Sequence, residues 1–66
     1  MPERLLNINQ VRERVPLSRQ EIYRRMQMGT FPKQIPIGPQ RVAWREADIE
    51  GWILDKIEAA QGAQGN

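Results

Sequence analysis

The chain contains no cysteine and no histidine. The first absence excludes a disulfide staple and a thiolate zinc site. The second removes the side chain that most often serves as general base or metal ligand near neutral pH, and with it every histidine-dependent triad. Long apolar runs are missing as well. The opening Met1-Pro2-Glu3-Arg4-Leu5-Leu6 lacks the apolar stretch of a secretion signal, and nothing further along approaches membrane-spanning length. The expectation is a cytoplasmic protein. With 66 residues there is material for one domain, which hides only about 60% of its unfolded surface on folding. A deep cleft walled by two layers of structure is out of reach. Aromatic residues are few, two Trp, one Tyr and one Phe, but with a hydrophobic fraction of 39% they suffice to anchor one core.

The net charge of +2 says little, whereas its distribution says more. Residues 1–45 carry nine cationic and three acidic side chains, a surplus of +6; residues 46–66 carry one and five, a balance of −4. That split suggests one face for a polyanion and another turned away from it. Eight of the nine cations in the basic part are Arg, whose forked donors suit phosphate oxygens and guanine edges better than Lys.

Along the chain, Arg4-Leu5-Leu6 reads as a short lead-in whose leucines cover the core. Asn7 or Asn9 caps a first helix reaching about Val15, with Ile8, Val11 and Val15 on one face. Pro16 stops it, because proline disfavours helix in the residue before it, and Leu17 follows as a buried hinge. Ser18 is a good N-cap, and Ser18-x-x-Glu21 has the capping-box pattern. A second helix then runs from about Arg19 to Met28, where Gly29 supplies a left-handed stop. Ile22 and Met26 make its buried stripe; Arg19, Gln20, Tyr23, Arg24 and Gln27 fall on a polar arc. Two helices joined this closely make a helix-turn-helix pattern.

Phe31-Pro32 turns the chain. Residues 33–37 alternate, with Ile35 and Ile37 on one face, and after the Gly38-Pro39-Gln40 turn Val42 and Trp44 point inward while Arg41 and Arg45 point outward. Pro36 cannot donate to a ladder, so this is expected to be a small edge hairpin and not part of a larger sheet. It has the form of a wing. A last helix starts near Glu46, whose charge and that of Asp48 complement the helix dipole, and Ile49, Trp52, Ile53 and Ile57 form a stripe that must dock on something. The expected architecture is mainly α with a small β-hairpin: a winged helix-turn-helix of three helices plus wing over residues 1–60, and a disordered tail over 61–66. There are no internal repeats and no interdomain linker.

A helix that reads duplex DNA needs polar side chains near its N-terminal end for base edges, and Arg or backbone groups for phosphates. Arg19 suits a bidentate contact to guanine and Gln20 one to adenine; Arg24 lies beside them. Ser18 can turn its hydroxyl or the nearby amides to a phosphate, besides capping the helix. Tyr23 has two readings, a ring packed on Trp44 and a hydroxyl on a phosphate. Arg25, four residues after Glu21, reads instead as an exposed helical ion pair of about 0.2–0.5 kcal/mol. On the wing, Gln40 and Arg41 take the tip and Lys33 and Arg45 the base, and a basic tip can track the backbone or enter a minor groove. Phe31, Trp44 and Trp52 belong to the core, because their parity and spacing follow the buried residues; single-strand binders present aromatics outward. Glu46, Asp48, Glu50, Asp55 and Glu58 sit on one helix without His or Cys, and read as a solvated face.

Taken together, Arg4-Leu5-Leu6, Leu17-Ser18-Arg19 with Ile22-Tyr23-Arg24, Gly29 with Phe31-Pro32, Ile37-Gly38 with Arg41-Val42, and Trp44-Arg45 leading to Ile49 and Trp52 resemble the AlpA-type phage and prophage regulators, small relatives of excisionases with a MerR-like winged helix. The resemblance spans Arg4 to about Ile57. It implies a bacterial or phage setting and a transcriptional regulator or excision factor, with the helix beginning at Ser18 in the major groove and residues 33–45 as the wing. Ser18, Arg19, Tyr23, Arg24 and Arg41 match positions where the family carries similar groups. One departure is Val15-Pro16, which stands where many relatives have glycine and stiffens that turn. The partner expected is double-stranded DNA, with no cofactor, metal, membrane or small-molecule ligand. The alternative is a protein-interaction module in which the 46–58 helix docks an integrase, a polymerase subunit or another copy of the chain. No nucleophile and base can be paired for catalysis.

Overall fold

The computed structural model describes residues 3–64, with side chains through residue 62. The order of elements is β1 (Leu5–Leu6), α1 (Ile8–Arg14), α2 (Arg19–Met28), β2 (Ile35–Gly38), β3 (Arg41–Arg45) and α3 (Glu46–Gln64). It is a winged helix-turn-helix: three helices and a hairpin, mainly α.

The local signals act where the residue types require. Asn7 caps α1 reciprocally with Gln10: each side chain accepts from the other's backbone N–H, at 2.8 and 2.9 Å. Val15 leaves the helix in extended backbone, as the residue before Pro16 must. Ser18 caps α2 by accepting from the Glu21 N–H at 3.1 Å. The return half of the expected capping box is not made, because the Glu21 carboxylate turns toward Arg24 and Arg25 instead. Gly29 ends α2 at φ 79°, and the Gly29 and Thr30 N–H groups donate back to Met26 and Arg25. That pattern satisfies the last carbonyls of the helix and needs the left-handed backbone that glycine adopts without cost.

Three expectations change on folding. The lead-in segment is a strand. β1 pairs antiparallel with β3, Leu5 opposite Arg45 and Leu6 opposite Trp44, so the hairpin belongs to a three-stranded sheet of order β1-β3-β2 with β3 central. Pro36 remains on an edge strand, where its missing donor does no harm. The wing alternation also breaks. Ile35 lies opposite Ala43, Pro36 opposite Val42 and Gly38 opposite Arg41, which leaves Ile37 in a bulge and 52% exposed. An extra residue in one strand reverses the parity that follows it, so Ile37 does not share the face that Ile35 presents with Ala43. Finally, α3 continues as helix to Gln64, past Gln61, where the sequence points to a disordered tail. Ala59, Ala60 and Gln61 are good helix formers and extend it without packing; Gly65 and Asn66 lie outside the described residues.

The core comprises Leu6, Val11, Val15, Ile22, Phe31, Trp44 and Ile49, with Leu17, Met26, Val42, Trp52 and Ile53 packed around it. Every element except β2 gives this set a fully buried side chain. The two indoles hold the segment between α2 and β2: Trp44 Nε1 donates to the Pro32 carbonyl at 3.1 Å and Trp52 Nε1 to that of Thr30 at 2.8 Å. Phe31 meets Trp52 edge-on at 5.0 Å between ring centroids. The stripe of α3 is used only in part. Ile49 is buried and Trp52 and Ile53 are half-buried, whereas Ile57 faces water, because a helix of 19 residues is about 28 Å long and outruns the sheet beneath it.

The start of α3 is fastened from three sides. The Glu46 N–H donates to the Arg4 carbonyl at 2.8 Å, and its carboxylate meets Arg14 at 2.9 Å and Arg4 at 3.9 Å. Next to it, Arg45 makes a two-pronged bond to Glu3, at 3.1 and 2.7 Å. Those hydrogen bonds, and then the charge of Arg45, hold the Glu3 carboxyl below its ordinary 4.5.

Two outcomes are expected. Trp44→Phe removes the donor to Pro32 and leaves a gap in the core, so urea unfolding should show a loss of about 2–4 kcal/mol with an unchanged m-value. A carboxylate with a depressed folded pKa stabilises above its unfolded pKa and loses that contribution as pH falls through the folded value. The difference in melting temperature between the wild type and Glu3→Gln should therefore be present at pH 7 and vanish as pH drops below 4.5. A difference independent of pH would show that the ion pair is idle.

Candidate nucleic-acid interface

Because α2 advances by about 100° per residue, burying Ile22 and half-burying Met26 fixes what the rest of the helix presents. Arg24 points directly away from the core, Gln20 and Met28 lie within about 40° of that direction, Gln27 leans toward the wing, and all four are exposed. Arg19, Tyr23 and Gln27 occupy the side next to the wing; Glu21 and Arg25 occupy the other. Ser18 is exposed at the N-terminal end, its hydroxyl oxygen engaged with the Glu21 N–H.

The Tyr23 ring stands edge-on to Trp44, centroids 6.4 Å apart and planes at 61°. Tyr23 is also 37% exposed, so the packing half of its double reading holds and part of the residue faces water. Tyr23, Gln27, Lys33 and Gln34 line one shallow groove between α2 and the start of the wing. Within it the Gln34 Oε1 is shielded from solvent and has no hydrogen-bond partner among the described residues. Gln27 and Gln34 are groove residues that a search for cations and helix N-termini passes over. Gln34 in particular lies in an alternating stretch that reads as strand.

At the wing tip, the pairing of Gly38 with Arg41 leaves Pro39-Gln40 as a two-residue turn. Gln40 takes φ 58°, the left-handed value that the third position of a type II turn requires and that a side chain disfavours. Gln40 and Arg41 are both exposed. Lys33, just before β2, is exposed as well.

Arg45 is placed differently from the other wing residues. It does point outward, but at about 13 Å along β3 from Arg41, with its guanidinium already bonded to Glu3. Arg45 thus keeps its expected place at the wing base, 46% exposed, and shares its charge with Glu3, a pairing through β1 that its sequence position does not reveal.

Ion pairs sort the remaining cations. Arg4 and Arg14 meet Glu46, whereas Arg24 and Arg25 lie at 3.9 and 3.8 Å from Glu21. Arg12, Arg19, Lys33, Arg41 and Lys56 enter no ion pair among the described residues. Glu46, expected on a solvated face, is instead the partner of two arginines. Among the described residues no group of three or more Asp or Glu is arranged to hold a metal ion, and no helix is long and apolar enough to cross a membrane.

Comparison with known proteins finds relatives in sequence. Over 55 residues, 83% of its length, the chain is 34% identical to a protein of Enterobacteria phage P4 described as "Uncharacterized protein ORF88". It covers 62% of that relative's length. The sequence model of the family described as "Prophage CP4-57 regulatory protein (AlpA)" matches residues 4–57, from just before β1 well into α3. The chain belongs to the AlpA family of prophage regulatory proteins.

Proposed function

We propose that this protein is a sequence-specific binder of double-stranded DNA that acts as a small phage-type transcriptional regulator or excisionase-like factor and performs no catalysis. The observation that carries the reading is the exposed face of α2. Arg19, Gln20 and Arg24 project from a capped, rigid helix, beside a hairpin whose tip carries Arg41 in no ion pair among the described residues. An α-helix with its side chains fits the major groove, about 12 Å wide, with its N-terminal residues at base edges. Arg19 reads guanine and Gln20 adenine, while Ser18, Tyr23 and Arg24 meet phosphates. Lys33, Gln40 and Arg41 follow the backbone or the adjacent minor groove. Arg45 holds the base of the wing through Glu3. The strained φ of Gln40 supports a contact role for its side chain, since glycine would build the same turn more cheaply.

A second reading has its own observation. Leu54 is 57% exposed and Ile57 47% on the outer half of α3, and Trp52 is only partly buried. Those residues suit a protein partner, such as an integrase, a polymerase subunit or another copy. Sedimentation should then show mass rising with concentration, or with an added partner, and Ile57→Glu should abolish the rise; a monomer at all concentrations that binds DNA normally would remove the self-association form.

Binding of duplex DNA from upstream of the protein's own gene, followed by fluorescence anisotropy against scrambled DNA, tests the main reading. Affinity should fall with salt at a log–log slope of roughly −4 for four or five phosphate contacts. Arg19→Ala or Gln20→Ala should cost about 1–3 kcal/mol on the cognate duplex and little on the scrambled one, whereas Arg41→Ala should weaken both alike. Equal loss on both duplexes for all three variants would overturn the division of roles, and no binding even at low salt would overturn the reading.

A further inference from the structure

The edge of α2 away from the wing is not empty. Arg24, from the outward face, borders a shallow recess there with Arg25, Met28, Thr30 and Lys56, which reaches across from α3. Lys56 is the lone cation of the acidic C-terminal part of the chain. Its ammonium lies 5.4 Å from the centre of the Trp52 ring, an attraction that orients the charge without neutralising it. Trp52 is itself fixed by its bond to the Thr30 carbonyl, so the platform under Lys56 is rigid.

The two arginines are only loosely satisfied. Their shared partner, Glu21, stands 3.8 and 3.9 Å away, beyond good hydrogen-bond length. The Arg25 Nε is shielded from solvent and has no hydrogen-bond partner among the described residues. Among the described residues, three cations and no carboxylate line the recess, while Asp48 and Asp55 line the groove on the other side of Trp52 with Lys56, so the recess itself carries positive charge and unused donors. Tetrahedral oxyanions satisfy such a set, and Arg forks in particular.

We propose that Arg24, Arg25 and Lys56 form a second phosphate-binding site, which grips the DNA strand across the major groove from the strand followed by the wing. The inference rests on the DNA-binding reading above and extends it to α3. Its geometry is that of a helix in a groove. An α-helix with side chains, about 10–12 Å across, nearly fills a groove about 12 Å wide, so both of its edges come close to a phosphate wall. Lys33 and the wing serve one edge. The recess serves the other, and Lys56 makes the packing of α3 part of the interface.

The test is the salt dependence of anisotropy for the wild type, Lys56→Gln and Lys56→Arg on the cognate and scrambled duplexes, with thermal melting of each protein as a folding control. Lys56→Gln should flatten the log–log slope by about 0.9 on both duplexes and leave their affinity ratio unchanged. Lys56→Arg should restore the slope. If wild type binds with a steep slope and Lys56→Gln matches it, the second site is overturned while the DNA-binding reading stands. If wild type shows no salt-dependent binding, that reading falls and the second site with it.

Discussion

The buried indole of Trp44 is the contact on which the rest of the molecule depends. It lies on the central strand opposite Leu6, donates to the Pro32 carbonyl and supports the edge of Tyr23 on α2. One side chain thereby joins the N-terminal strand, the second helix and the segment that launches the wing. A domain this small has few alternatives, because its core holds only seven buried side chains. The angle between helix and wing, which sets what both can reach, follows from this ring and its hydrogen bond.

Charge is organised by the same architecture. The arginines nearest the N-terminal strand and the end of α1 are matched with Glu3 and Glu46, where they tie β1, α1 and the start of α3 together. These pairs lie at or near the surface, with Glu46 the most shielded partner, and are individually weak, but each one shares a cation that could otherwise meet a polyanion. What remains unpaired among the described residues includes Arg19 on α2, Lys33 and Arg41 on the wing, and Lys56 on α3. The sequence suggests a basic part and an acidic part facing apart. The fold divides the cations instead into those that brace the scaffold and those that stay available.

Most local structure was legible in the residues. Ser18, Glu21 and Gly29 bound the second helix, and Trp44 is buried as its position suggests, although Ala43 beside it is buried too and Val42 only half-buried. The candidate site was legible to the same extent, since Arg19, Gln20 and Arg24 follow from helix periodicity once Ile22 and Met26 are recognised as buried. Where the reading slipped, the missing information was pairing over long separations. Leu5-Leu6 is too short to look like a strand, and becomes one only because β3, some forty residues later in the chain, offers it an edge. Ile37 alternates correctly on paper but loses its parity to a bulge that the partner strand imposes.

The sequence by itself thus determined the kinds of element, their caps and turns, and the composition of the α2 face, because those depend on neighbours within four residues. Tertiary structure alone decided which cations are spent on Glu3 and Glu46, that Arg45 braces the wing, and that Lys56 joins Arg24 and Arg25 beside α2. Such juxtapositions come from side chains far apart in the chain and are set by the packing of Trp44 and Trp52. Sequence periodicity carries no information about distances across that core.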